Sequence, residues 1–485
     1  MAYFWYLTNV FYLYLTMTDN IKKAGNSTTV QVRLINGFSQ KPFINKIIIT
    51  TMLNDAVKLV TKKYLLFSLL LLSCFRLTAQ LPDMVYKDNI KCVRFHMYGD
   101  QESIAIYNLN SGDQVELNFD DIDGNVKSYY YTYQLCDYNW KPVDLSPFMY
   151  IKGFTQQRIT TYRYSSISYT KYIHYQAMLP DRNTQLTMSG NYLLKVFLDG
   201  DTSKLVFTRR LMVLDQKVAL TGNVVQPLTP QWFRTHQKLQ FNANITGLNS
   251  FSAAQQLKVV ILQNNRWDNA LKDVAPTFVR GVNLEYNTEN NCIFPAGREW
   301  RWLDLRSFRL QSDRVDHADY KKTSTDIYVR TDADRSNEKY VYYRDLNGMF
   351  LVANSENINP YWQSDFATVH FSLAAPGNQP YTDKDVYLAG QLTDYAFNDK
   401  TKMVFNAEKG LYECTAFLKQ GYYSYTYILV DKKNPQIKTT LDGDYWEAEN
   451  SYTILMYYKA FSDRADQLIG VAHIDSRTGR AGFSF

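Results

Sequence analysis

The chain has 485 residues, with 53 basic and 47 acidic side chains and a formal charge of +6. Nine of the basic and two of the acidic residues fall within the first 80, so the remainder carries 44 against 45 and is close to neutral. That balance removes a basic surface for nucleic acid or anionic lipid from consideration, and the length is too great for one hydrophobic core.

The chain opens with "MAYFWYLTNVFYLYL", an uncharged aromatic run slightly short for a membrane span, followed by polar sequence without clear period. Further on, Lys58, Lys62 and Lys63 precede the apolar run Leu65 to Leu72, and Leu77-Thr-Ala79 ends in the small residue that signal peptidase needs. This is the order of parts in a secretory signal, with cleavage after Ala79 leaving Gln80 first. A lipoprotein variant would carry its lipid on Cys74, although Leu72 is bulky where a smaller residue is usual. A signal must leave the ribosome first. Residues 1–51 are therefore expected to be a mis-annotated N-terminal extension and 52–79 the signal peptide; the alternative is a true N-terminal membrane anchor.

Beyond Gln80, period-two alternation dominates, in a sequence with 39 tyrosines. "QVELNF" puts Val115, Leu117 and Phe119 on one face, and "SYYYTYQL" does the same for Tyr129, Tyr131, Tyr133 and Leu135. With "DDIDGN" between them, the two runs predict a β-hairpin. Asp121, Asp123 and Asn125 offer oxygens to calcium, but an EF-hand needs a distal Glu where this chain has Thr132, so the segment reads as a turn. "GNYLLKVFLDGD" predicts a strand and a turn, completing a first sandwich over 80–215.

"KLQFNANI", the more fully apolar "QLKVVILQN", "REWRWLDLRSF" and "TDIYVRTD" fill a middle sandwich over 216–374, and a strand from Thr368 to Leu373 either closes it or opens the next domain. The C-terminal segment, 375–485, contains "GLYECTAFLKQGYYSYTYILVD". Its alternation, broken by Lys419-Gln420-Gly421, predicts a hairpin, and "SYTILMYYK" adds a strand. No segment after Gln80 sustains a 3.6-residue apolar stripe. The expectation is all-β: three tandem immunoglobulin-like β-sandwich domains.

The last of these resembles the early-set sandwich of glycogen-binding modules at "DVYLAGQLTDYAF". There Gly390-Gln-Leu-Thr-Asp-Tyr395 places Tyr395 where those modules carry a sugar-stacking Trp. The resemblance supports the fold and leaves a glycan-binding protein acting through the C-terminal domain as an alternative function.

Chemistry-bearing motifs are lacking. Cys92, Cys136, Cys292 and Cys414 match no zinc spacing. Cys92 and Cys136 could pair in an oxidising compartment, but lone buried thiols are the expectation. The six histidines are scattered, and there is no HExxH, GxSxG or Walker loop. No enzyme activity, metal, cofactor or small-molecule ligand is therefore expected.

From Tyr131 to Pro180 the sequence reads "YTYQLCDYNWKPVDLSPFMYIKGFTQQRITTYRYSSISYTKYIHYQAMLP". Cys136 shortly before Trp140, then Gly153-Phe154, the tract Ser165 to Ser168, Tyr172-Ile-His174-Tyr175 and Leu179-Pro180 resemble, in order, the plug proteins of the Bacteroidetes type IX secretion system. The resemblance continues through "NNRWDNA", "EYNTENNCIFPAGREWRWLDLRSFRLQSDRV" and "AENSYTILMYYKAFSDRADQLIGVAHIDSR". It implies a non-catalytic periplasmic protein, associated with the outer membrane, that docks on the large outer-membrane translocon β-barrel and seals its periplasmic opening. No nucleic acid partner and no direct membrane span are implied, and no individual contact residue can be carried over. A rival reading, an outer-membrane barrel suggested by the terminal Phe485, fits the irregular polar tracts poorly.

Overall fold

The computed structural model describes residues 82–248 and 253–478; the expected cleavage residues Ala79 and Gln80 lie outside them. The regular elements are β-strands joined by turns and short 3-10 segments. Among the described residues no helix is long and apolar enough to cross a membrane.

The N-terminal part supplies β1 (Ile90–Met97), β2 (Val115–Asp121), β3 (Tyr129–Cys136), β4 (Thr161–Tyr164), β5 (Ile173–Leu179), β6 (Gly190–Leu198) and β7 (Leu205–Leu214). One sheet has the order β1-β2-β5-β4, while β3, β6 and β7 lie in another. The alternating residues face as their period requires: Val115, Leu117 and Phe119 meet Tyr129, Tyr131, Tyr133 and Leu135 in one buried cluster. The predicted hairpin is not formed, because β2 and β3 belong to opposite sheets.

The turn between β2 and β3 is a corner fastened by Asp121. Its buried carboxylate accepts from Asn89 Nδ2 (2.7 Å), Tyr129 Oη (2.8 Å), the Asp123 backbone N–H (3.0 Å) and Lys127 Nζ (2.8 Å). Burial alone would raise this carboxyl, but those donors, Lys127 foremost, hold it below the ordinary range. Gly124 carries the left-handed backbone of the turn, with φ +72.

Next come β8 (Ala219–Val225), β9 (His236–Asn244) and β10 (Leu257–Gln263), then β11 (Arg301–Asp304), β12 (Thr325–Val329), β13 (Phe366–Ala374), β14 (Lys384–Ala389), β15 (Leu411–Lys419) and β16 (Gly421–Asp431). The last pair are β17 (Ser451–Tyr458) and β18 (Gln467–Asp475). Strand pairing departs from the expected boundary between residues 374 and 375. β12 and β13 pair with each other, β13 pairs with β15, and β11 pairs with β16, so residues 303–441 share one core. The C-terminal strands return to the middle part: β17 pairs with β10, and its apolar side chains pack with those of β9 and β10.

Sequence neighbours usually neighbour in space. Here the 301–441 segment stands between β10 and the strand β10 pairs with, and alternation does not record that interruption.

β15 and β16 repeat the first departure. The predicted hairpin is another corner, since β15 pairs with β13 and β16 with β11 and β14. Tyr412 and Leu418 face Tyr423, Tyr425 and Tyr427 across one core. Gly421 makes the bend, where a Cβ would stand 2.2 Å from the Leu351 carbonyl oxygen.

The N-terminal and middle parts share a sheet. β7 meets β18 in parallel at Leu214 and Leu468, joining β3, β6 and β7 to β18, β17 and β10. The other face of this sheet is also buried, by a cluster with Trp140, Leu193, Met212, Val260, Leu455 and Tyr457. A sheet running between two cores and covered on both faces resists bending.

Candidate docking surface

The family-motif residues gather in the N-terminal part, and most of them are structural. Cys136 closes β3, and burial pushes its thiol up to about 12. Trp140 has a left-handed backbone (φ 67) in a turn where Asp137 Oδ1 accepts from the Asn139 and Lys141 N–H groups at 2.8 and 2.9 Å. Its ring meets Trp267 edge-on at 5.0 Å, with the Arg210 guanidinium 5.0 Å and 4.9 Å from the two rings. Cys92 and Cys136 are unpaired thiols.

His174 and Tyr175 are neighbours on β5 and therefore point to opposite faces. Tyr175 enters the core, stacked on Phe119 at 5.1 Å, and its hydroxyl accepts from the Lys127 N–H at 2.7 Å. His174 lies on the outer face under Tyr361, ring centroids 5.2 Å apart. Its Nδ1 is 2.8 Å from Asp120 Oδ1 and its Nε2 3.1 Å from Asn118 Oδ1. The other Asp120 oxygen accepts from Lys419 Nζ at 2.7 Å, and Lys419 also donates to the Tyr361 carbonyl and sits 4.3 Å from the Tyr172 ring.

Asp120, His174 and Lys419 are all buried, and they join the outer face of the N-terminal sheet to β15. Burial pushes the imidazole below its ordinary value, against the pull of Asp120. The arrangement resembles an acid–base constellation, but each polar group is spent on a neighbour in a packed junction. Among the described residues no group of three His, Cys, Asp or Glu side chains could hold a metal.

Gly153 and Phe154 behave differently. Gly153 ends the short strand Ile151–Gly153, which pairs with Thr184–Leu186. Its φ is +99, and a Cβ there would stand 2.1 Å from the Asn183 carbonyl oxygen. Only glycine fits this approach. The next residue donates its N–H to the same oxygen at 2.8 Å, which leaves the Phe154 ring in solvent, 66% exposed.

Phe154 is one of several large apolar side chains in this stretch that stand exposed and that the sequence patterns did not single out. Phe148 and Met149 stand exposed before it, and Tyr162, Tyr164, Ile167 and Tyr169 after it. Tyr162 and Tyr164 lie on β4, an edge strand that among the described residues pairs only with β5 and whose four residues are all exposed. Their rings are 6.1 Å apart. The loop carrying Ile167 and Tyr169 is pinned from behind. Ser166 N–H donates to the Trp362 carbonyl at 2.8 Å, and Asp365 accepts from the Tyr169 and Thr170 N–H groups at 2.8 and 3.0 Å. Ile167 has φ 70, a strained backbone for a β-branched residue, and is 75% exposed.

Seven large apolar side chains within residues 148–169 therefore face water, and the backbone at Phe154 and around Ile167 and Tyr169 is held in place. Exposed apolar side chains concentrated in one stretch, two of them ring to ring on an edge strand, make this stretch the candidate interaction surface. The signal available in the sequence was "TTYRYSSISY", in which aromatics alternate with arginine and serine that are no better suited to a core.

Residues 90–215 match the family described as Type 9 secretion system plug protein 1st domain. A crystal structure of a hypothetical protein from Parabacteroides merdae ATCC 43184 is 29% identical with a TM-score of 0.78, covering 82% of this chain and 100% of that one. Dimeric latent PorU from Porphyromonas gingivalis, 8% identical with a TM-score of 0.13 over 80% of this chain and 34% of that one, has no likeness of fold to argue from. No curated protein matches the chain.

Proposed function

Because residues 90–215 belong to the first-domain family of type 9 secretion system plug proteins, we propose that this chain is a non-catalytic periplasmic plug. It docks on the large outer-membrane translocon β-barrel and seals its periplasmic opening. Family membership supports association with the secretion apparatus. The observation that carries the finer reading is the exposed run from Phe148 to Tyr169, which lies inside the matched segment.

A plug needs a body that does not yield and a face that adheres. The continuous sheet and the buried Asp120–Lys419 junction supply stiffness. Pre-set Tyr and Phe side chains with pinned backbones can bind with little loss of conformational freedom, and aromatic anchors of this kind carry much of an interface's energy. In this reading the chain is exported by a signal over 52–79, with Gln80 as the first mature residue, to the side of the membrane where the opening lies.

The glycan-binding alternative finds less support. Tyr395 donates its hydroxyl to the Gly348 carbonyl at 3.1 Å, and its ring lies 5.3 Å from the Arg266 guanidinium and 6.4 Å from Trp300. The aromatic that would stack on a sugar is already packed against protein.

The test is affinity recovery of the tagged, exported protein from a native cell envelope, with co-purifying proteins identified by mass. Recovery of the translocon barrel is the expected result. Its repeated absence under conditions that keep the barrel soluble would overturn the proposal.

A further inference from the structure

The sheet that ends at β4 has a second edge. In the order β1-β2-β5-β4, strand β1 pairs, among the strands of the described residues, only with β2. Its register slips between Lys91 and Arg94, where Cys92 has φ +52, so Cys92 and Val93 fall out of the ladder as a β-bulge.

Facing this edge is another. β15 is paired along its whole length with β13, but on its other side the strand Val404–Asn406 reaches only Leu411 to Glu413. From Cys414 to Lys419 that side has no strand beside it among the described residues. Between the two edges lies a cleft of about 580 Å³, with Ile90, Lys91, Cys92 and Val93 on one wall and Thr415 to Lys419 on the other. Phe350, Phe366 and Tyr423 also line it.

Unpaired strand edges present a row of N–H and C=O groups that an extended chain can complete. The charges facing the cleft indicate which chain. Two of its carboxylates are already engaged: Asp88 with Lys400, and Asp394 with Arg209 at 3.0 Å. Lys91 is half-buried, has no ion pair among the described residues, and is pulled below its ordinary pKa by burial and by Lys400. With Lys87 beside it, the cleft carries an excess of cation over Asp399, the one lining carboxylate with no ion pair among the described residues.

We propose that the cleft between β1 and β15 accepts an extended acidic peptide segment of a partner protein as an added strand. Its backbone pairs with one or both edges, its acidic side chains face Lys87 and Lys91, and its apolar side chains lie over Phe350 and Phe366. The surface is at the opposite edge of the sheet from β4, so the proposal stands or falls separately from the docking patch.

The test uses the purified full-length protein and three fluorescein-labelled decapeptides: alternating Val and Glu, alternating Val and Lys, and the Val–Glu peptide N-methylated at every second amide. Fluorescence anisotropy should give saturable binding of the first alone. Amide-exchange protection should rise at Cys92–Val93 and within Thr415–Lys419. Lys91→Glu should weaken binding about tenfold or more through charge reversal, with an unchanged melting temperature and unchanged recovery of the translocon barrel. Three results would overturn the proposal: no saturable binding of the Val–Glu peptide, equal binding of the lysine or N-methylated peptide, or protection mapped to Phe148–Tyr169 instead. Loss of barrel recovery with the patch variants alone would leave it standing.

Discussion

Strands β4 and β5 lie side by side in one sheet, yet they treat solvent in opposite ways. On the outer face of β2 and β5, Asp120, Asn118, Glu116 and His174 are buried beneath Tyr361 and Lys419. One strand further out, Tyr164 and Ile167 are bare. Charged and polar groups are inside while aromatic and branched apolar groups are outside, the reverse of the usual distribution. Polar atoms can be buried when each finds a partner, as Asp120 does with Lys419 and His174. Apolar atoms left uncovered have no comparable compensation within the chain, which is why the β4 edge is read as a surface awaiting a partner.

The largest change should come from opening the buried side. Asp120→Ala leaves Lys419 buried without its carboxylate and should cost about 3–5 kcal/mol in urea unfolding. Joining Asp120→Leu to Lys419→Met should recover much of that loss. A single-variant cost below about 1 kcal/mol would mean that the junction is wetter than the packing implies.

On the exposed side, Gly153→Ala tests what aims Phe154 outward. The substitution meets both a positive φ and the Asn183 carbonyl oxygen, and should cost about 2 kcal/mol or more.

A smaller effect is expected from Asp121, next to Asp120 on β2 but turned to the opposite face, toward Tyr129 and Lys127 at the corner. Its folded pKa lies below the ordinary 3.8. As the pH falls through and below 3.8, the unfolded chain takes up a proton that the folded one resists, so this contribution is present above that range and lost within it. The slope is at most about 1.4 kcal/mol per pH unit. Asp121→Asn should flatten the acid limb of the stability profile, and an unaltered limb would contradict the assignment.

The smallest effect on stability belongs to the patch itself. Tyr164→Arg with Ile167→Glu should change unfolding free energy by no more than about 0.5 kcal/mol, as expected for solvent-facing positions. A loss of several kcal/mol would mean that these side chains serve the fold.

Period-two alternation located strands and their buried faces correctly. Tyr129, Tyr131, Tyr133 and Leu135 all reach one core, as do Tyr423, Tyr425 and Tyr427. It failed to name partners, because two runs facing each other across a sandwich have the same pattern as two runs side by side in a hairpin. What separates them sits at the corner, in the four donors around Asp121 and in the Gly421 approach to Leu351, and neither is a periodic signal. The break between β10 and β17 was hidden for the same reason.

The ordered motif from Cys136 to Pro180 pointed to the family, while most of the residues that make the candidate surface sit in its gaps. Phe154 and Ile167 alone were both motif and surface. The buried Asp120–Lys419 pair, 299 residues apart, was beyond any local pattern.

The most direct test of docking through the β4 edge compares barrel recovery by three proteins: the unaltered chain, Tyr164→Arg with Ile167→Glu, and Phe278→Arg. The last alters an aromatic that is also exposed, on a different edge strand. The account predicts that the unaltered chain and Phe278→Arg recover the translocon barrel equally and that the double variant, folded and equally stable, recovers almost none. Equal recovery by all three would contradict it.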